Sequence, residues 1–301
     1  MADLDDLCAA RARGRADPLA GTALHVRRFL LVEHHGPWPF HALESEGLDP
    51  EVVASLVAVT REVGGRTFLV RRPGRRSVDH VRRAWAVVDV EAGRIRWGAW
   101  EQPADLLDAV PLLREGATDD GWSDEPALLV CAHGRHDTCC AVRGRPIAAA
   151  LAERLGDAVW ECSHVGGDRF AGNVVVVPDG TYYGGLDADA AVDVLVEHLA
   201  GRVSPALLRG SSALPPVAQV VAVAAHERWG PGAARDVVAA EVEDAGPERW
   251  RVRLSCTGPL PATVVAHVRA EQREAAVLTC QAARATSARA FVVDELADAS
   301  A

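Results

Sequence analysis

Hydrophobic and polar positions in the first 120 residues follow a pattern that predicts one α/β unit. Residues 48–63 place their apolar side chains at helical spacing on one face, and Gly64-Gly65 ends that helix. Short apolar runs bounded by turn residues predict strands before and after it. In chain order the predicted elements are a strand at 23–33, the helix at 48–63, strands at 67–71, 83–90 and 95–100, and a helix at 103–110.

Residues 124–202 partly repeat this order of elements. The valine run at 173–177 predicts a strand that is buried on both faces. The other elements predicted here are strands at 127–131, 158–163 and 181–183 and helices at 146–155 and 186–199. This segment is about the size of a thioredoxin-like unit, and we predict that the preceding segment is a diverged copy of it.

The rest of the chain predicts a third, smaller domain. Residues 203–212 contain Ser-Pro and Gly-Ser-Ser and are predicted to be a linker. We predict domains at 1–120, 121–204 and 205–301, with residues 1–22 packed onto the first. The last domain is expected to be a small α+β appendage with helices at 216–228 and 232–242 and strands at 250–256, 263–269 and 277–281.

Composition and charge argue against several functions. The net charge of −10 disfavours nucleic acid as a partner, because a phosphate backbone requires a basic surface. No run of about 18 apolar residues occurs, so no membrane span is expected. Every basic charge is arginine, which is typical of GC-rich bacterial sequences. Seven cysteines without a secretory signal predict a cytoplasmic protein in which clustered cysteines serve metal or redox chemistry.

Two polar loops carry the candidate chemistry. Cys131, Cys139 and Cys140 lie within ten residues, and His164 and Asp168 follow in a second loop. Both loops leave the carboxyl ends of predicted strands, where open α/β sheets bind ligands. Thiolates, an imidazole and a carboxylate are metal ligands or redox groups, so the two loops predict such a site if they converge in space.

The same two loops resemble a known family. The pattern Cys131-x8-Cys140, followed by His164-Val-Gly-Gly-Asp168-Arg-Phe-Ala-Gly-Asn173, is similar to the sucrase/ferredoxin-like family, whose members are thioredoxin-like [2Fe–2S] ferredoxins. The resemblance implies a thioredoxin-like ferredoxin with Cys131, Cys140 and His164 as cluster ligands. With the repeated order of elements, it predicts tandem thioredoxin-like ferredoxin units of which the first is degenerate. Related fungal proteins have a second histidine where this chain has Asp168, so a carboxylate is the expected fourth ligand.

The resemblance also implies a function. We expect an electron-transfer or redox-sensing protein, an electron carrier more than a stand-alone enzyme, with an unidentified redox protein as its partner. Replacing a neutral imidazole by the Asp168 carboxylate makes the cluster more negative. Since negative charge disfavours adding an electron, the expected reduction potential lies between those of Rieske centres and plant-type ferredoxins.

Two other functions fit the same residues. Cys131, Cys140, His164 and Asp168 also suit a mononuclear Zn²⁺ site. Vicinal Cys139 and Cys140, or Cys131, would serve a thiol oxidoreductase, although the chain contains no Cys-x-x-Cys motif. The two carboxylates that glycoside hydrolysis requires are not identifiable as a pair.

Residues near the four candidate ligands are predicted as alternative ligands or as supports of the site. The two glycines allow the backbone to approach an inorganic sulfur and to donate hydrogen bonds to it. This group comprises Cys139, Cys162, His133, His136, Gly166, Gly167, Arg169 and Asn173.

Two further features have simpler interpretations. Cys8, Cys256 and Cys280 are predicted to be buried apolar residues. Residues 71–76 form a basic segment on an acidic protein and are predicted to be a solvated loop, or alternatively a docking patch for a redox partner or an anionic cofactor.

Overall fold

A computed structural model of the chain describes residues 6–75, 82–118 and 120–300. Its helices are α1 (Cys8–Gly14), α2 (Pro50–Glu62), α3 (Ala109–Glu115), α4 (Thr138–Leu155), α5 (Ala188–Leu199) and α6 (Pro216–Trp229). Its strands are β1 (Arg28–Glu33), β2 (Arg66–Arg71), β3 (Arg83–Asp89), β4 (Arg94–Trp100), β5 (Ala127–Cys131), β6 (Val159–Cys162), β7 (Val174–Val177), β8 (Thr181–Tyr183), β9 (Leu208–Ser211), β10 (Val237–Asp244), β11 (Arg249–Cys256), β12 (Thr263–Gln272) and β13 (Arg289–Asp298).

The strands form one large curled sheet and one small sheet, which confirms the mixed α/β class. The large sheet has nine strands in the order β4-β3-β1-β2-β6-β5-β7-β8-β9, and the small one has the order β10-β11-β12-β13. In the large sheet, β1 pairs in parallel with β2 and β5 with β6, while the remaining neighbours are antiparallel. The halves meet where Val70 lies opposite Cys162 and Arg71 opposite Glu161.

The core of the large sheet is built on both of its faces. One face joins the two halves in a single apolar cluster that includes Phe29, Phe68, Leu129 and Val175. The other face is covered by α2 and α3 in the first half and by α4 and α5 in the second. The strands of the sheet centre are therefore near-continuous runs of buried aliphatic residues, as the valine run predicts.

The cysteine-rich segment is helical earlier than its sequence predicts. The helix predicted at 146–155 begins at Thr138, because the Asp137 side chain caps it by accepting a hydrogen bond from the Cys139 amide at 2.8 Å. Pro146 lies inside this helix without ending it. Cys139 and Cys140 thus belong to the first helical turn and not to a loop.

The prediction of a linker at 203–212 is wrong. Residues Leu208–Ser211 form β9, which pairs with β8 and extends the large sheet. The Arg209 side chain is buried within it. Burial of a polar, glycine-containing strand is invisible to a composition argument, because the hydrogen-bonding partners come from distant parts of the chain.

Three predictions in the terminal regions are also wrong. The segment predicted as a helix at 232–242 contains β10, whose pairing with β11 overrides the helical propensity of its Ala and Glu residues. Residues 277–281 lie outside any strand, and β13 lies further along the chain. Helix α1 packs near Cys139 and Ala171 in the second half of the sheet, and not onto the first domain.

The basic segment at 71–76 is not a uniformly solvated loop. Arg71 is buried, with its Nε 2.7 Å from Glu161 Oε2 and its guanidinium over the Trp38 ring. Arg72 stacks on Trp160. Arg76 lies outside the described residues. Within the described parts of the chain, no helix is both long enough and apolar enough to cross a membrane.

Candidate metal centre

The ends of two parallel strands bring the predicted loops together. Cys131 is the last residue of β5 and lies opposite Cys162 of β6, so the chain leaves both strands at the same edge. Cys140 returns to this point from the first turn of α4, and His164 lies two residues beyond the end of β6. One ligating atom from each of Cys131, Cys140 and His164 lies within 4.8 Å of the other two. We call these three side chains the central cluster.

A glycine allows α4 to approach β5 closely enough for this. A Cβ atom at Gly144 would overlap the carbonyl oxygen of Cys131. The helix therefore rests directly on the end of the strand, one turn after Cys140. Both thiols are almost completely buried as a result.

Asp168 contacts two members of the central cluster. Its Oδ1 lies 3.3 Å from Cys140 Sγ and 2.9 Å from His164 Nδ1. The carboxylate is buried, and it sits in a single turn of 3-10 helix that starts at this residue. Although His164 Nδ1 is close to the carboxylate, it has no aligned hydrogen-bond partner among the described residues, because the oxygen lies outside the direction of a ring N–H.

Mutual contacts set the charges of the cluster. The hydrogen bond from Cys140, supported by His164, lowers the pKa of Cys131 well below its usual value despite complete burial. Burial alone would lower the pKa of His164, but Asp168 and Cys131 outweigh it and raise that pKa to about 9. Burial would raise the pKa of Asp168, but the contacts with His164 lower it by more, so this pKa lies below its usual value.

These pKa shifts determine which protons a bound cation must displace. The hydrogen bond to Cys131 and burial both raise the pKa of Cys140, so this thiol keeps its proton. The lowered pKa values of Cys131 and Asp168 favour a thiolate and a carboxylate, and the raised pKa of His164 favours an imidazolium. Metal binding here would release protons from His164 and Cys140, as metal binding to thiols and histidines generally does.

Two more histidines border the cluster. The His136 ring stacks on His164 at 3.8 Å between centroids, and its Nε2 is 3.9 Å from Asp168 Oδ2. His136, His164 and Asp168 form a second group whose ligating atoms lie within 4.8 Å of one another. His133 is turned away, since its Nε2 hydrogen-bonds to the Pro39 carbonyl at 2.7 Å. His136 is thus better placed as a ligand than His133.

The imidazoles form the open edge of the site. A cleft of about 320 Å³ is bordered by Phe40, Arg66, His136 and His164, among other residues. The His164 and His136 side chains are 19% and 24% exposed, whereas both thiols of the cluster are buried. The site is therefore open to solvent on the histidine side.

The loop between His164 and Asp168 is fixed by a buried arginine. Gly166 and Gly167 have φ values of 83° and 76°, which only glycine adopts without strain. Arg209 Nη1 donates to the Gly166 carbonyl at 3.0 Å and to Asn173 Oδ1 at 2.8 Å. Asn173 Nδ2 donates in turn to the Gly167 carbonyl at 3.0 Å. Sequence reasoning missed Arg209 because it lies in the segment predicted to be a linker.

The remaining predicted neighbours separate into different places. Cys162 is buried in the same apolar cluster as Cys131 and Cys140, and burial raises the pKa of its thiol. Arg169 lies 3.5 Å from Asp17 and over the Phe170 ring. Cys139 points away from Cys140, toward Cys8 and Cys280. Cys8 and Cys256 are buried in apolar clusters, as predicted. Cys280 is only partly buried, and its thiol lies beside those of Cys8 and Cys139.

Comparison with known proteins identifies the family. The family model described as sucrase/ferredoxin-like matches residues 19–210, which is more than half of the chain. The chain therefore belongs to the sucrase/ferredoxin-like family. No curated protein and no solved structure matched the chain. The matched range includes the central cluster and Arg209, but it includes neither Cys8 nor Cys280.

Proposed function

We propose that this sucrase/ferredoxin-like protein is an electron-transfer or redox-sensing protein that holds one [2Fe–2S] cluster through Cys131, Cys140, His164 and Asp168. The observation that carries the proposal is the convergence of two thiols and one imidazole within 4.8 Å. The Asp168 carboxylate contacts both the Cys140 thiol and the His164 ring. The family match supports a ferredoxin-like role for the same residues.

The chemistry of the donor set fits such a cluster. Two thiolates with non-thiolate ligands are a known way of holding [2Fe–2S] centres. The backbone of Val165 contributes to the lowered pKa of the Cys131 thiol. Backbone groups beside ligand sulfurs tune the potentials of iron–sulfur centres. His164 Nδ1 is buried without an aligned hydrogen-bond partner among the described residues, and metal ligation by the deprotonated nitrogen would supply a partner.

The surrounding residues determine how electrons would enter and leave. When bound, a [2Fe–2S] cluster accepts and returns one electron. Cys131 and Cys140 lie in the apolar core and exclude water from the thiolate side. His136 and His164 face the cleft, so a partner would exchange electrons through the imidazole edge.

The partner that fits this edge is an acidic redox protein. Arg61 and Arg66 border the cleft beside the histidines, and Phe40 next to them is 45% exposed although it is a large aromatic residue. An exposed aromatic with neighbouring basic residues is typical of a docking surface for a complementary charged partner. All seven cysteines are free, which fits the cytoplasmic location that we propose.

The tandem thioredoxin-like interpretation rests on the strand orders. The first half of the large sheet reads β4-β3-β1-β2 and the second reads β8-β7-β5-β6, so equivalent elements lie in equivalent places. Glu33 ends β1 where Cys131 ends β5, and α2 begins with Pro50 where α4 begins with Thr138. This supports a first unit that retained the topology and carries no thiol ligand at the matching strand end.

Iron and sulfide analysis of the anaerobically purified chain tests the proposal. We expect about two irons and two sulfides per chain and an EPR signal after reduction with dithionite. Cys131→Ala should abolish both, whereas Cys256→Ala, a buried cysteine in the small sheet, should leave them unchanged. A colourless, iron-free protein after faithful reconstitution would reject the cluster.

The fourth ligand is tested by two variants of neighbouring residues. Asp168→Ala should change the EPR spectrum and destabilise the cluster, because the carboxylate contacts Cys140 and His164 directly. His136→Ala should leave the spectrum largely intact. An altered spectrum in His136→Ala together with an unchanged spectrum in Asp168→Ala would identify His136 as the fourth ligand in place of Asp168.

A mononuclear Zn²⁺ site is the second candidate, and the closeness of the ligands favours it. Ligands of one tetrahedral zinc ion lie roughly 3.3 to 3.8 Å apart, given zinc–ligand bonds of about 2.0 to 2.3 Å. The central cluster is compact enough for this. One zinc and no iron at this site would establish it. A thiol oxidoreductase based on Cys139 and Cys140 has no such support, since the two thiols point into different clusters.

A further inference from the structure

Three cysteines from distant parts of the chain meet on the far side of the first turn of α4. Cys8 Sγ lies 3.4 Å from Cys139 Sγ, Cys139 Sγ lies 3.3 Å from Cys280 Sγ, and Cys280 Sγ lies 3.5 Å from Cys8 Sγ. The three sulfurs form a nearly equilateral triangle. Cys8 is on α1, Cys139 on α4, and Cys280 in the connection between β12 and β13.

A carboxylate completes this group. Asp137 is fully buried, and its two oxygens lie 3.8 and 3.9 Å from Cys8 Sγ. Its Oδ1 accepts from the Cys139 amide at 2.8 Å and its Oδ2 from the Cys280 amide at 2.6 Å. Asp137 therefore fixes two of the three cysteines, and each of its oxygens retains a lone pair for a cation.

We propose that Cys8, Cys139, Cys280 and Asp137 form a second metal site, which binds one Zn²⁺ ion and joins the N-terminal helix and the C-terminal sheet to α4. Sulfur ligands of one tetrahedral zinc lie about 3.8 Å apart, since the Zn–S bond is about 2.3 Å. The observed separations of 3.3 to 3.5 Å need only a small expansion to admit the ion.

The donor set and its surroundings match a closed, structural zinc site. Thiolates are the ligands that zinc prefers in structural sites, and four protein ligands leave no position open for a substrate. Leu7, Ala9 and Ala171 cover the group from the protein side. Cys280 is partly exposed and gives an entry path for the ion.

A disulfide would use this geometry poorly. Bonding any two of the sulfurs at about 2.05 Å would leave the third thiol beside them unbonded. A metal ion uses all three sulfurs and the carboxylate together. The backbone around the site is also held without it, since Gln281 Nε2 donates to the Arg135 carbonyl at 3.2 Å next to Cys280.

The site explains a part of the chain that the cluster proposal leaves without a role. The family match ends at residue 210, so the small sheet and its β12–β13 connection lie beyond it. Through Cys280 this connection would bind the same helical turn that supplies Cys140 to the central cluster. The small sheet then serves to hold α4 in place.

Metal analysis of the full-length chain, with the central cluster disabled by Cys131→Ala and His164→Ala, tests this second site by itself. Titration with Co²⁺ should give thiolate-to-metal charge-transfer bands that saturate at about one ion per chain. Added Zn²⁺ should displace the bound Co²⁺ and remove these bands. Adding Cys280→Ala should weaken binding by more than about 100-fold, beyond the range seen when only a supporting residue is lost. Adding Cys256→Ala instead should change nothing.

A second measurement on the otherwise unmodified chain does not depend on a variant folding. Removal of zinc with a chelator should speed tryptic cleavage at Arg11 and Arg13 of α1 by roughly tenfold or more, and restored zinc should reverse this. Cobalt binding that persists in the chain with Cys131→Ala and His164→Ala, where iron binding is lost, separates this site from the proposed cluster. Equal cobalt binding with and without Cys280, or a disulfide between two of the three cysteines in the isolated protein, would overturn the proposal.

Discussion

The buried guanidinium of Arg209 offers the sharpest test of how the site is held. Its side chain is only 1% exposed, on a strand at the edge of the large sheet. Its Nη1 supports the Gly166 carbonyl and Asn173, its Nε donates to Thr22 Oγ1 at 3.0 Å, and its Nη2 donates to the Thr22 carbonyl. Arg209→Met keeps an unbranched apolar side chain of similar width and removes all of these donors.

The magnitude follows from the acceptors that would lose their partner. Hydrogen bonds from a charged donor contribute about 1.5 to 3 kcal/mol each, and several buried oxygens would be left without one. Part of this loss is offset, because burial of the guanidinium is itself costly and lowers the pKa of Arg209 to about 10. Removing one partner of a buried charged network costs about 3 to 5 kcal/mol, and we expect Arg209→Met to fall in that range.

Urea unfolding and metal content of the same preparations measure the effect. Arg202→Met is the matched control, since Arg202 pairs with Glu197 on the surface and should contribute less than about 1 kcal/mol. Arg209→Lys should recover only part of the loss, because an ammonium cannot reproduce the fork of donors. A destabilisation below about 1 kcal/mol, or full metal content in Arg209→Met, would refute the role of this residue in fixing the loop.

Three further predictions test other links in the structure. Gly144→Ala should destabilise the fold by about 1 to 3 kcal/mol and lower the metal content, because its Cβ would push α4 off the Cys131 carbonyl; unchanged metal content would contradict it. Arg71→Met should cost about 3 kcal/mol by leaving Glu161 buried and unpaired, and replacing both residues by Met should restore most of it. Burial lowers the pKa of His226 from its usual 6.5, so the unfolded chain binds the proton more tightly and stability should fall as pH drops below about 6.5. His226→Asn should remove up to about 1.4 kcal/mol per pH unit of that loss, and identical pH profiles in urea unfolding would disprove it.

The sequence contains enough to predict the strand ends and the residues that converge there. Cys131 closes a short apolar strand and His164 follows another, so the rule for open sheets places them at one edge. Because β5 and β6 are parallel neighbours, both strands end at the same edge of the sheet and bring Cys131 and His164 together. The start of α4 was also accessible in principle, since Asp137 before Thr138 is a recognisable helix cap that the position of Pro146 obscured.

The parts that could not be predicted depend on contacts between distant segments. Arg209 looks like a linker residue until β9 pairs with β8 and brings it to Gly166. Cys8 and Cys280 each look like an isolated buried thiol, because 272 residues separate them and no local spacing relates them. Such groups are specified by the whole packing of the chain, and periodicity carries no signal for them.

The two cysteine groups share one helical turn, and helix geometry explains why neighbouring residues serve different sites. Successive side chains on an α-helix are rotated by about 100°, so Cys139 and Cys140 cannot face the same centre. Cys140 turns toward Cys131 and Asp168, while Cys139 turns toward Cys8 and Cys280. Asp137 caps this turn and also accepts a hydrogen bond from the Cys280 amide. The position of the Cys140 thiol therefore depends on the integrity of the proposed zinc site. A displacement of α1 or of the β12–β13 connection would therefore be transmitted to Cys140 through a single rigid turn.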